Sequence, residues 1–110
     1  MNKIIKIMIS LLCISCLSFN ATADLDQVPL PSNTDIRMQL DDEYPMILNG
    51  FVKMSDTEVI EFYTNQLGTA DRMIEDIGRY TFFYSQAHRQ LKISIYQQDE
   101  WTEISVMITE

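Results

Sequence analysis

The chain has 110 residues, 46% of them hydrophobic, with 16 acidic against 8 basic side chains and a formal net charge of −8. A surface of that sign repels phosphate backbones and anionic lipid, so no nucleic-acid partner is expected. One histidine and two cysteines leave too few soft ligands for a zinc site.

Lys3 and Lys6 open the chain with positive charge, residues 7–19 are apolar apart from small Ser and Cys, and Ala21-Thr22-Ala23 precedes Asp24. This is the order of a secretory signal peptide over 1–23, with small residues at the −3 and −1 positions of the cut. The apolar run is too short for a stable bilayer anchor. A rival route treats Cys13-Ile14-Ser15-Cys16 as a lipobox with Cys16 lipidated. A typical lipobox has Leu where Cys13 stands, and Leu17 and Phe19 are apolar where a polar tether belongs, so simple cleavage is the favoured expectation. The mature chain would then be 87 residues (110 less 23), one cysteine-free domain without a transmembrane segment. With Lys3 and Lys6 removed it would carry six basic against 16 acidic residues, a net charge of −10. The expected compartment is the periplasm or the exterior.

Residues 24–34 contain Pro29 and Pro31 without periodicity and read as an extended lead-in to a domain over 35–110. Ile36, Met38 and Leu40 alternate with Arg37 and Gln39, a strand pattern. Asp41 to Pro45 breaks it, and residues 46–53 are apolar again around Asn49-Gly50. That dipeptide fits either a tight hairpin or a bulge at Gly50 in one longer strand pairing back to 35–40; the second is preferred. A helix is expected over 55–67. Ser55 is the N-cap, Glu58 completes a capping box, Met54 and Val59 form a staple, and Gly68 is the stop. Met73 to Ile77 reads as a short irregular strand. Three strands follow as a meander, carrying Tyr80, Phe82 and Tyr84, then Leu91, Ile93 and Ile95, then Ile104, Val106 and Ile108. Short polar links join them. The fold class is α+β: one helix on one face of an antiparallel sheet of four to six strands, in the order ββα(β)βββ.

This order resembles small α+β modules of exported bacterial proteins and lipoproteins. The likeness lies in the lead-in Val28-Pro29-Leu30-Pro31, the helix Glu58-Val59-Ile60-Glu61-Phe62-Tyr63, a Gly-containing break and a terminal meander. It implies a fold and a compartment, with no activity attached.

No residue reads as catalytic and no cofactor is implied. His88 lies in a hairpin link without a placed partner, and a lone imidazole needs one to act as acid or base. Asp41-Asp42-Glu43 and Asp99-Glu100 lack the glycine-punctuated spacing of a calcium loop and occupy turns, where Asp is usual. The reverse of the meander is more informative. Period-two alternation sends Phe83, Tyr96, Trp101 and Met107 to the side opposite the core residues, and these are contact-surface types. A contiguous patch of these four is the expected partner-binding site. The function expected is a non-enzymatic interaction module of the bacterial periplasm. Its partner would be another protein, cationic by charge complementarity, or a second copy. The alternative is an inhibitor or immunity-type protein that neutralises a basic secreted enzyme or toxin.

Overall fold

A computed structural model describes residues 25–110; the expected leader, its cleavage point before Asp24, and Cys16 lie outside them. The fold is α+β, one helix and one six-stranded antiparallel sheet. The strands are β1 (Asp35–Leu40), β2 (Met46–Val52), β3 (Arg72–Asp76), β4 (Arg79–Gln86), β5 (Arg89–Gln98) and β6 (Trp101–Thr109), with helix α1 (Asp56–Leu67) between β2 and β3. Across the sheet they run β1-β2-β6-β5-β4-β3.

Three two-residue links, Ile77-Gly78, Ala87-His88 and Asp99-Glu100, make β3 to β6 a continuous meander. The last strand then inserts beside β2, pairing Met46 with Ile108 and Val52 with Thr102. β6 thereby joins the two halves of the sheet. Helix α1 carries the chain across one face, from β2 to the far edge.

Alternation decides which face is buried. Leu91, Ile93, Ile95, Ile104, Val106 and Ile108 are all buried beneath the helix, together with Leu48 and Val52 of β2. The helix contributes Val59 and Tyr63. Each such aliphatic side chain removed from water stabilises the fold by about 1.5–3 kcal/mol. Thr102, fully buried among them, donates its hydroxyl proton to the Met54 carbonyl.

The helix ends follow the sequence signals. Ser55 Oγ accepts from the Glu58 N–H at 3.2 Å, and Glu58 Oε1 accepts from the Ser55 N–H at 3.0 Å. The Asp56 N–H is taken by Gln97 of β5 at 3.0 Å, which ties the first turn to the sheet. Gly68, at φ 82°, closes the helix by donating to the Thr64 carbonyl, and Tyr84 Oη donates to the Gly68 carbonyl.

The lead-in differs from the extended segment expected. It begins with one 3-10 turn, Leu25–Gln27, whose Leu25 enters the core. Tyr63 Oη donates to the Pro29 carbonyl at 2.8 Å. Burial raises the Tyr63 phenol well above its ordinary value. The lead-in therefore packs on the helix side of the sheet.

Asn49-Gly50 lies inside one strand, but the bulge sits on β1. The register slips between Ile36 and Met38, leaving Arg37 as the extra residue. Gly50 answers a different need. A Cβ there would lie 3.0 Å from Thr34 Cγ2 and 3.1 Å from the Asp35 carbonyl. Only glycine lets the start of β1 cross so close.

Two outcomes are expected from this framework. Gly50→Val should lower stability by roughly 1–3 kcal/mol, read from urea unfolding, because the obstructing atoms include backbone. The Glu58 carboxyl is held below its ordinary value of 4.5 by the Ser55 N–H and then the Ser55 hydroxyl. A folded value below the unfolded one gives stabilisation that is complete above pH 4.5 and lost as pH falls through the folded value. Glu58→Gln should therefore unfold with a flatter pH dependence than the parent in that acid window. An unchanged profile would remove the capping box from the account.

Candidate functional site on the open sheet face

The helix and the lead-in both cover the face built by Leu91 to Ile95 and Ile104 to Ile108. Among the described residues, no element packs on the reverse. Strand register arranges that reverse face in three rows. One runs Arg72, Phe83, Lys92, Met107, Ile47 and Leu40. The middle row is Ile74, Thr81, Ser94, Ser105, Asn49 and Met38, and the third is Asp76, Arg79, Tyr96, Glu103, Phe51 and Asp35. Trp101, opposite Gln98, stands one step beyond the third row at the start of β6.

All four expected contact residues occupy this open face, but they do not form one apolar patch. Phe83 and Met107 share a row with Lys92 between them, whereas Tyr96 lies two rows away. Trp101 is 42% exposed and lines a groove of about 320 Å³ with Arg37, Phe51, Gln98 and Asp99.

A polar network fills the gap. Arg79 donates to Ser94 Oγ at 3.0 Å and lies 3.5 Å from Glu103. Asn49 donates to Glu103 at 2.8 Å and to Ser105 Oγ at 3.0 Å. Ser94 is only 7% exposed, yet its hydroxyl has a partner. The network links β2, β4, β5 and β6 across the middle of the face. Every member is held by a neighbour, so its geometry is preset for contact.

Three arginines lie over aromatic rings here: Arg37 over Phe51 at 5.6 Å, Arg72 over Phe83 at 4.4 Å, and Arg79 over Tyr96 at 4.7 Å. At such exposure each pair contributes roughly 0.5–1 kcal/mol. With Lys92 they gather four cations on one face of an acidic chain, leaving Lys53 and Arg89 as the other described cations. Asp56, Glu58 and Glu61 lie on the helix and Asp41-Asp42-Glu43 on the β1–β2 loop, away from this face. Asp35, Asp76 and Glu103 stand on the same face, and Asp35 and Glu103 pair with Arg37 and Arg79. The face is therefore close to charge balance, with Arg72 and Lys92 in a row that holds no acidic residue, while the remainder is strongly acidic.

Sequence reasoning overlooked the arginines and Asn49. The signal was present in the two-residue loop Ala87-His88, which pairs Gln86 with Arg89 and so sets Arg79 opposite Tyr96. Among the described residues no group of three or more His, Cys, Asp or Glu side chains could hold a metal. No helix there is long and apolar enough to cross a membrane. No protein-family model, curated protein or solved structure matches this chain.

The two faces should respond differently to truncation. Ile104→Ala should cost about 2–5 kcal/mol, the range for deleting a buried aliphatic. Trp101→Ala should change stability by no more than about 0.5 kcal/mol, as at an ordinary surface position. Thermal unfolding followed by circular dichroism reads both, and equal losses would mean that Trp101 belongs to the core.

Proposed function

We propose that this chain is a small, exported, non-enzymatic protein-interaction module of the bacterial periplasm that binds through its open sheet face, with Phe83, Tyr96, Trp101 and Met107 as contact residues. The observation that carries the reading is the uncovered face itself, on which Trp and Tyr stand among arginines. These three residue types dominate the energetics of protein interfaces. A preset polar network at the centre and an aromatic groove at one corner suit a protein surface better than a small substrate, which needs an enclosed site. Arg37 and Arg79 already pair with Asp35 and Glu103, so Arg72 and Lys92 are the cations that favour a partner presenting carboxylates to their row.

A second reading, an inhibitor or immunity-type protein that neutralises a basic secreted enzyme or toxin, draws on the net charge of −8. Such a partner would dock where the acidic residues lie, on α1 and the 41–45 loop, and not on the open face.

Partner capture from periplasmic extract separates the two. Tyr96→Ala with Trp101→Ala should abolish capture while the melting transition stays within a few degrees of the parent. Capture that survives this change but is lost on replacing Asp56, Glu61 and Asp42 with Asn, Gln and Asn would favour the inhibitor reading instead.

A further inference from the structure

We propose that the chain self-associates through strand β3, pairing antiparallel with β3 of a second copy about a twofold axis at Ile74, so that two sheets become one. The proposal deepens the interaction reading, in which a second copy is one possible partner, and does not depend on contacts by Phe83, Tyr96, Trp101 or Met107.

Loop length fixes which backbone groups of β3 face outward. A two-residue loop makes Asp76 and Arg79 the closing hydrogen-bonded pair of the β3–β4 hairpin. Antiparallel pairs alternate, so Arg72, Ile74 and Asp76 direct their backbone groups to β4, while those of Met73 and Glu75 face outward. The outer edge thus offers two N–H and two C=O groups. A second β3 can satisfy them only in registers that place Met73 or Glu75 opposite one another or opposite themselves.

Side-chain charge selects among these registers. Centring on Ile74 sets Arg72 opposite Asp76 of the second copy, twice by symmetry, and Met73 opposite Glu75 with all four backbone groups of each strand bonded. Arg72 and Asp76 then form non-hydrogen-bonded pairs, in which Cα atoms approach to about 4.5 Å and side chains meet most closely. Opposite charges directly across a sheet are favourable, and like charges are unfavourable. Neither Arg72 nor Asp76 has an ion-pair partner among the described residues, although Arg72 lies over Phe83. Charges on an edge strand usually ward off pairing. On β3 they are self-complementary in the one register that also completes the backbone bonds.

The edge is also apolar where the contact would close. Met73 and Ile74 are 50% and 44% exposed, and the twofold axis brings Ile74 against Ile74. Beside them Ile77, 89% exposed, holds a left-handed φ of 50°. A β-branched residue in that conformation is strained. The opposite edge is less suited. β1 is interrupted by its bulge at Arg37, and Arg37 is already bonded to Asp35 on its own strand at 2.8 Å.

A five-residue edge makes a small interface, so association should be weak and readable by sedimentation velocity up to about 1 mM protein. Arg72→Asp alone and Asp76→Arg alone should each weaken association about tenfold by setting like charges face to face. The double variant R72D/D76R should restore it. Ile74→Lys should abolish it, and Leu40→Lys on the opposite edge should leave it unchanged. Far-ultraviolet circular dichroism checks that each variant remains folded. A protein that stays monomeric at the highest concentration would overturn the proposal. So would single variants that associate normally, a double variant no better than the singles, or loss of association in Leu40→Lys. These measurements use purified protein alone, so failure of partner capture would leave them unaffected.

Discussion

Period-two alternation in the two central strands is the constraint on which the structure rests. Six aliphatic residues of β5 and β6 sit in register, Leu91 with Ile108, Ile93 with Val106 and Ile95 with Ile104, and together they form the floor beneath α1. Because they all point one way, their neighbours must all point the other way. A single 12-residue helix covers one face of a sheet this wide and no more. The lead-in reinforces that asymmetry: Leu25 and the Tyr63–Pro29 bond draw it to the helix side, where it extends the core. The exposed reverse face follows from packing before any function is considered.

What that face contains is a second consequence of register. Arginines one strand away from Tyr96 and Phe83 come to rest on the aromatic rings, and Asn49 reaches from β2 to Glu103 and Ser105 on β6. A net acidic chain thereby acquires a nearly charge-balanced, aromatic surface, with Arg72 and Lys92 together in one row. Net charge alone points to a cationic partner, whereas the Arg72–Lys92 row offers an anionic group a local site on this face. Local charge should govern here, because exposed charges beyond about 8 Å are largely screened at physiological ionic strength.

Much of the fold was legible in the chain because local signals agreed with one another. Ser55, Glu58 and Gly68 marked both ends of α1, and alternation identified the meander and its buried side. The misplaced features were those set by contacts distant in sequence. The bulge fell at Arg37 and not Gly50 because the close approach of Thr34 and Asp35 to β2 is visible only once the strands pair. The 3-10 turn at Leu25–Gln27 depends on a core that forms around it. Alternation identified the face that carries Phe83, Tyr96, Trp101 and Met107, but not how they are spaced across it. Their separation by Lys92 and the Arg79–Glu103–Asn49 network is a matter of cross-strand register.

Trp101 is the only tryptophan in the chain and sits on the open face, so its fluorescence reports on the central claim directly. Acrylamide is an uncharged quencher and is insensitive to the acidic surface. Excited selectively, the folded protein should be quenched at a substantial fraction of the efficiency of the urea-unfolded chain, as befits a ring 42% exposed in an open groove. Strong protection from quenching together with a blue-shifted maximum in the folded protein would place Trp101 within the interior and contradict an uncovered face.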